Sequence, residues 1–232
     1  MRRNRMSPAL ILPLAGSLVA AVSSGPPKGT LILDGGGCNA AWERFVSLAG
    51  GPERNFVYIP TGASAVRMDG LATGEPRPDL VYRPPETSAH DEQTQKLADW
   101  AACGLHVRRV TVLHTRDRKE ADSEAFVAPL RTAHGVWIGS GNAGRLAAAY
   151  LDTLTLRELW AVLDRGGVIG GESAGAIIQG SFIVRGRPDK PLLMAKGHER
   201  GFGFLKNVAI NPHLISARRE DQLVDVILLA EA

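Results

Sequence analysis

The chain has 232 residues, of which 44% are hydrophobic and 22% charged, so it is long enough for one α/β domain with a sizeable core. The formal net charge is only +3, and apart from the tight cluster Arg2, Arg3 and Arg5 the cationic residues are scattered along the chain. This pattern argues against a nucleic-acid-binding protein, and no nucleic-acid partner is expected.

The first predicted element is a signal peptide. Three arginines among the first five residues precede an apolar stretch, 9–22, which is followed by Ser23 and Ser24. The stretch is short and interrupted by Gly and Pro, which disfavours a membrane span. We therefore expect a signal peptide over 1–24, a mature domain over 25–232 and a secreted or periplasmic location without stable membrane association after processing. An uncleaved N-terminal anchor is the alternative.

Apolar periodicity then predicts strands that alternate with helices. The predicted strands are 30–33, 55–59, 106–113, 136–138 and 167–169, and the predicted helices are 42–48, 92–102, 121–130, 144–150 and 156–164. The helix at 121–130 is expected to open at Asp122 or Ser123, and 68–88 is expected to be a surface loop. This alternation predicts a mostly parallel sheet covered by helices on both faces. Further along, short strands are predicted at 182–184 and 208–210, and a helix at 218–230.

The segment Gly171-Glu172-Ser173-Ala174-Gly175 follows the fifth predicted strand and precedes a small apolar segment. G-x-S-x-G between a strand and a helix is typical of a nucleophile elbow, in which a sharp turn exposes the serine above the sheet. Ser173 is therefore the candidate nucleophile, and the N–H of Ala174 is a candidate oxyanion donor. A Gly-rich turn around a buried serine is the structural alternative.

A serine nucleophile needs a base, usually a histidine that a carboxylate orients. His213 is the best candidate because it follows the strand at 208–210, and a parallel sheet presents its site at the strand ends. His198 is the second candidate. The orienting acid is open at this point, and the candidates are Asp189, Glu199, Asp221 and Glu172.

Two other Gly-rich turns follow predicted strands. The turn Gly139-Ser140-Gly141-Asn142-Ala143-Gly144 matches G-x-G-x-x-G, but it is on the fourth strand and lacks a suitably spaced acid. Backbone donation by Gly141 or Asn142 to an oxyanion hole fits it better than nucleotide binding. The turn at 34–37 is equally compatible with close approach to a ligand and with simple turn chemistry.

The two cysteines, Cys38 and Cys103, do not imply a metal site, because no cluster of Cys and His has zinc spacing. Whether they pair is open, and two unpaired small hydrophobic residues is the expectation. No metal and no organic cofactor is expected.

These motifs together resemble the cyanophycinase and dipeptidase E family of serine peptidases. The elbow at 171–176 resembles the family's nucleophile motif, and the segment 201–213 resembles the one that leads to its catalytic histidine. The strand and turn at 31–37, the turn at 139–146 and the segment 114–116 match as well. The resemblance implies a class I glutamine amidotransferase-like fold, a three-layer αβα sandwich, and is strongest to exported cyanophycinase-like proteins.

The resemblance also implies roles for individual residues. It makes Ser173 the nucleophile, His213 the base and Asp189 the triad acid, with Glu199 as the second choice. The oxyanion donors would be the N–H groups of Ala174 and of Gly141 or Asn142. Arg219 fits one of the family's arginines, and Arg218 and Arg219 are the candidates for charge complementarity to the substrate. Each of these two arginines is also compatible with a solvated surface position.

The activity implied is hydrolysis of an aspartyl peptide bond, in particular a β-linked one, through an acyl-enzyme. The expected partner is a peptide substrate, and a homodimer is left open. Only residues 214–232 follow His213, so truncation at the C-terminus is considered. The alternatives are a catalytically inactive binding module of this fold and a dipeptidase E-like aspartyl dipeptidase. A glutamine amidotransferase is disfavoured because it needs cysteine at position 173.

Overall fold

The computed structural model describes residues 24–36, 39–63, 100, 105–183 and 199–213. The strands within these ranges are β1 (Thr30–Asp34), β2 (Asn55–Ile59), β3 (Arg109–Val112), β4 (Gly135–Ile138), β5 (Val168–Glu172), β6 (Gly180–Phe182) and β7 (Leu205–Ala209). The helices are α1 (Asn39–Leu48), α2 (Arg118–Ala121), α3 (Glu124–Thr132), α4 (Ala143–Tyr150), α5 (Leu154–Asp164) and α6 (Ala174–Ile177). The expected elements at 68–88 and 218–230, and all of 92–102 except Trp100, lie outside the described residues.

The central sheet has five strands in the order β1-β5-β4-β2-β3, and every neighbouring pair is parallel. Parallel neighbours need crossover connections, and these place helices on the faces of the sheet. The predicted α/β fold with a mostly parallel, helix-covered sheet is thus confirmed.

Side-chain alternation along the strands divides the core into two halves. Val136 and Ile138 of β4 pack with α3, α4 and α5 on one face, whereas Trp137 packs with Phe45 of α1 and with Trp100 on the other. Successive residues of a strand point to opposite faces, so this alternation builds the three layers. All three β4 side chains are fully buried.

Helix α3 begins three residues later than the predicted helix at 121–130, after one of the two opening residues that the sequence proposed. Ser123 is its N-cap, and the Ser123 Oγ accepts the N–H of Phe126 at 3.3 Å. The other proposed opening residue, Asp122, instead accepts the N–H of Leu154 at the start of α5, at 2.6 Å. The Ser123 side chain therefore caps α3, whereas the Asp122 side chain caps the start of α5.

A second, two-stranded sheet pairs β6 with β7 in parallel, with an irregular register between Gly180 and Phe182. The strand expected at 182–184 is two residues earlier than predicted, at 180–182. Ile183 leaves the pairing because its N–H donates to the carbonyl of Glu199 at 2.6 Å. The apolar run alone misled the prediction, because Ile183 is buried although it is not in the strand.

The carboxyl ends of the five parallel strands meet at one edge of the central sheet, which is the edge where such sheets bind ligands. β1 ends at Asp34, β2 is followed by Pro60 and Thr61, β4 by Gly139, and β5 by Ser173. Within the part of the chain that the structure describes, no helix has the length and apolar character needed to cross a membrane.

Candidate active site

Ser173 occupies a strained turn between β5 and α6. Its backbone has φ 52° and ψ −107°, a conformation that a non-glycine residue rarely adopts. The turn is held from the neighbouring strand, because the Ser173 N–H donates to the carbonyl of Asp34 at 2.9 Å. A serine in such a strand-turn-helix setting has the geometry of a nucleophile elbow, as the motif predicts.

His213 contacts this serine directly. The His213 Nε2 lies 2.8 Å from the Ser173 Oγ, although the two residues are far apart in the chain. This distance is within hydrogen-bond range and within the reach that a base needs to take the serine proton. For that role Nε2 accepts the hydroxyl proton, and the ring proton is on Nδ1.

The β1 turn supports the histidine. A Cβ on Gly36 would lie 2.5 Å from the His213 Cε1, so the ring packs against the glycine backbone at this point. The Gly36 N–H donates in turn to the Asp34 Oδ1 at 2.8 Å. The sequence left the role of this turn open. In the structure, the backbone of the turn packs against the His213 ring.

Asp34 is a residue whose place in the site the sequence did not reveal. The residue is 5% exposed, and among the described residues its Oδ2 has no hydrogen-bond partner. It pairs in register with Glu172, the residue before the nucleophile. The only sequence signal for this position of Asp34 was that it is an acidic residue at the end of a strand, beside a Gly-rich turn.

The expected oxyanion donors differ in whether their N–H groups already donate to another part of the chain. Ala174 is the first residue of α6, so its N–H belongs to the first turn and has no acceptor within the helix. The Asn142 N–H donates to the carbonyl of Gly62 at 2.9 Å, and its side chain caps α4 through the Gly144 N–H at 2.8 Å. Asn142 is therefore engaged in structural bonds, which leaves Gly141 as the candidate donor of this turn.

A second polar cluster lies at the same edge of the sheet, and we call it the Thr61 cluster. Its members are Thr61, His114, Thr115 and Tyr150. Burial, together with the charge of Arg116, lowers the pKa of His114 below its ordinary value of 6.5, against a smaller opposing effect of Glu120. Burial raises the pKa of Tyr150 to about 12, so this phenol keeps its proton.

Several expected site residues are outside the described ranges, namely Asp189, Arg218, Arg219, Asp221, His198, Cys38 and Cys103. Glu199 is described, and its carbonyl accepts the N–H of Ile183 as noted above. The choice of Asp189 over Glu199 as triad acid stays a prediction, as does the contact of the two arginines with substrate. No cluster of three or more His, Cys, Asp or Glu side chains in the described ranges is placed to hold a metal ion.

The parallel sheet and the Ser173–His213 pair are typical of α/β enzymes that use a serine nucleophile. Within that class, residues 31–231 match peptidase family S51, and the chain belongs to this family of serine-type peptidases. The resemblance found from the sequence motifs is thereby confirmed.

The curated relatives are cyanophycinases. The chain is 29% identical over 126 residues to cyanophycinase from Synechococcus elongatus, a match that covers 53% of this chain and 39% of the relative. It is 28% identical over 131 residues to cyanophycinase from Nostoc sp., covering 53% of this chain and 42% of that protein. The match thus spans about two-fifths of the length of these relatives.

Two solved structures share the fold. A peptidase from an acI-B1 Actinobacterium superposes with a TM-score of 0.59 at 23% identity, covering 88% of this chain and 77% of that one. A putative peptidase E protein from Listeria monocytogenes superposes with a TM-score of 0.51 at 16% identity, covering 84% and 85%. At these sequence identities, the two superpositions show a shared fold.

Proposed function

We propose that this chain hydrolyses peptide bonds, with Ser173 as nucleophile and His213 as general base. The observation that supports this most directly is the 2.8 Å contact between the His213 Nε2 and the Ser173 Oγ at a backbone with φ 52°. A strained turn that presents a hydroxyl to an imidazole serves nucleophilic catalysis better than it serves packing.

The acylation step follows from this geometry. The Ser173 Oγ attacks the carbonyl carbon while its proton passes to the His213 Nε2, and the carbonyl oxygen becomes an oxyanion. The N–H groups of Ala174 and Gly141 donate to that oxyanion. His213 then returns the proton to the leaving nitrogen as the C–N bond breaks.

Deacylation repeats the same steps with water. His213 takes a proton from the water that attacks the acyl-enzyme and gives it to the Ser173 Oγ, which releases the acid. In our proposal Asp189 accepts the His213 Nδ1 proton, which orients the ring and stabilises the imidazolium form. Glu199 is the alternative acid.

The proposed substrate is an aspartyl peptide, in particular one with a β-linked aspartyl residue. The support is family membership together with the names of the curated relatives, which are cyanophycinases. Arg218 and Arg219 are the proposed cationic partners of the substrate carboxylate. A dipeptidase E-like preference for aspartyl dipeptides is the alternative, and a panel of α- and β-aspartyl substrates separates the two.

The proposed location is outside the cytoplasm. The support is the sequence of residues 1–24, in which arginines precede an apolar stretch and small residues. The mature protein would then act on its substrate in the periplasm or in the medium.

The proposed function predicts covalent labelling at Ser173. A fluorophosphonate probe should label the purified wild-type chain at this residue, because only a serine activated by a base reacts readily. Ser173→Ala should abolish labelling and lower the hydrolysis of aspartyl peptides by on the order of 10⁴-fold or more. Mass spectrometry of the labelled peptide and a steady-state assay measure both effects.

The matched control for this experiment is Ser47→Ala, which removes an exposed serine of α1. It should label and hydrolyse as the wild type does. A folded wild-type chain that neither labels nor hydrolyses would indicate the inactive binding module instead, and labelling that persists in Ser173→Ala would refute the assignment of the nucleophile.

A further inference from the structure

Two turns at the carboxyl edge of the sheet are interlocked: the 60–63 turn after β2 and the 139–142 turn after β4. The carbonyl of Gly62 accepts the Asn142 N–H at 2.9 Å and the Arg145 Nη1 at 3.3 Å. Gly141 has φ 130°, and a Cβ on it would lie 2.1 Å from the oxygen of Gly62. The position of the Gly141 peptide is thus set by the position of Gly62.

The 60–63 turn is in turn held by Thr61, whose side chain is fully buried. The Thr61 Oγ1 lies 2.6 Å from the Tyr150 hydroxyl and 2.9 Å from the His114 Nδ1. Tyr150 is the last residue of α4, and Asn142 caps the first turn of the same helix. The hydroxyl of Thr61 therefore connects the 60–63 turn to the segment that follows β3 and to α4.

The backbone of the turn is fixed as well. Arg116 donates from Nη2 to the carbonyl of Thr61 at 3.5 Å and, through a shorter bond, to the carbonyl of Ala63. Each carbonyl from Thr61 to Ala63 thus accepts a hydrogen bond from another segment of the chain. The Thr61 side chain and these backbone bonds together set the position of the Gly62 carbonyl.

The protons in the Thr61 cluster have one arrangement that satisfies every buried hydroxyl. The Thr115 N–H can only donate, and it donates to the Tyr150 oxygen at 3.4 Å. The Tyr150 hydroxyl then donates to Thr61, and the Thr61 hydroxyl donates to the His114 Nδ1. This chain of bonds requires His114 to be neutral, and burial, together with the adjacent cation of Arg116, favours that form.

We propose that Thr61 is a positioning residue for catalysis: its bonds to His114 and Tyr150 fix the 60–63 turn, which holds the Gly141 N–H where it can donate to the oxyanion. The inference rests on the proposed function of Ser173 and extends it to a buried side chain that does not touch the substrate. It assigns to the Thr61 cluster an effect on the transition state and not on substrate binding.

The test is Thr61→Val, which replaces the hydroxyl by a methyl group of similar size. With an aspartyl peptide substrate, kcat should fall by about 10-fold to about 10³-fold while KM changes less than about threefold, because removal of one oxyanion donor costs up to that factor. Inhibition by phenylboronic acid, whose tetrahedral adduct needs the oxyanion hole, should weaken in parallel. The Kd of a product peptide should stay the same.

Two controls accompany this variant. Thr61→Ser keeps the hydroxyl and should restore kcat to within a few-fold of the wild type, and Thr111→Val makes the same exchange at an exposed position of β3. Should Thr61→Val fail to fold, Tyr150→Phe removes one oxygen from the same chain of bonds and undergoes the same assays. A second pair of variants tests His114. His114→Asn keeps an acceptor near the position of Nδ1, so its kcat should be higher than that of His114→Leu.

The outcomes separate the inference from the proposed function. A wild-type chain without labelling or hydrolysis would refute the proposed function itself. A wild-type chain that is active, with a folded Thr61→Val or Tyr150→Phe variant of unchanged kcat, would overturn the role of Thr61 and leave Ser173 and His213 in place. A Thr61→Val variant whose KM rises while its kcat stays unchanged would also overturn the role of Thr61.

Discussion

At the scale of single residues, the neutral His114 is the group whose charge state matters most for the Thr61 cluster. Its Nδ1 accepts the Thr61 hydroxyl in the arrangement derived above, and a proton on Nδ1 would remove that acceptor. Among the described residues, the charged groups that act on it are Arg116, which opposes protonation, and Glu120, which favours it. Burial is the largest cause and Arg116 adds to it, so the pKa of His114 is lowered overall.

This lowered pKa predicts a loss of stability in acid. The unfolded chain takes up a proton at His114 near 6.5, whereas the folded chain does so only at a lower pH. Between these values the unfolded state binds more protons, so the free energy of unfolding falls as the pH is lowered through this window. Thermal denaturation between about pH 8 and about pH 5 should therefore show a larger drop in Tm for the wild type than for His114→Asn.

The control for the acid effect is His106→Asn, since His106 is an exposed histidine next to β3. Its pH profile of Tm should follow that of the wild type. Equal profiles for the wild type and His114→Asn would mean that His114 titrates in the folded chain as it does in the unfolded one, contrary to this prediction.

Local sequence signals were enough to select Ser173 and His213 as candidate residues, whereas the Thr61 cluster and the place of Asp34 depend on contacts between distant segments. Ser173 lies in a motif between a strand and a helix, and His213 follows a strand, so each could be recognised from its neighbours. Thr61 meets His114 and Tyr150 across 53 and 89 residues, and no periodicity encodes such a contact. The place of Asp34 also depends on which strand lies beside β1, which the sequence order does not state.

At the scale of elements, α4 links the candidate oxyanion turn to the Thr61 cluster. It starts directly after Asn142 and ends at Tyr150, so both ends of the helix take part in the carboxyl edge of the sheet. Asn142 contributes twice, through a backbone bond to Gly62 and a side-chain cap on Gly144. The sequence predicted this helix over 144–150 but assigned the turn before it only by motif.

The cap predicts a measurable contribution to stability. Asn142→Ala removes the acceptor of the Gly144 N–H and should lower the free energy of unfolding by about 1 kcal/mol. Asn142→Asp keeps an acceptor at the same place and should remain close to the wild type. Urea denaturation of the three proteins measures the difference, and equal midpoints for Ala and Asn would show that the cap contributes nothing.

At the scale of the whole molecule, the apolar pattern of the strands predicted the layers well, because β4 and β5 are buried almost throughout and β3 alternates between exposed and more buried residues. The small sheet was placed less well, since β6 has three residues and an irregular register. Short, bulged strands leave little pattern in the sequence. The described chain begins beside this small sheet, where the Lys206 N–H donates to the carbonyl of Ser24 at 2.7 Å.

The proposed export predicts a processed N-terminus. Mass spectrometry of protein recovered from the periplasm or the medium should give a chain that starts at Ser24 or Gly25. A chain with an intact Met1 that stays in the cytoplasm would contradict the prediction.

Gly170 lies three residues before the nucleophile, and a Cβ there would lie 2.4 Å from the Trp137 Cε3. The indole of β4 thus occupies the space that any side chain at position 170 would need. For laboratory evolution, buried strand positions such as Gly170 must therefore be distinguished from exposed turn positions. Randomising Gly170 would mostly yield unfolded clones, because a side chain there has to displace a buried tryptophan. Diversity is better introduced at Ser140, which is exposed in the turn beside the candidate oxyanion donor. New substrate preferences are therefore best sought in the turns, with the strands kept unchanged.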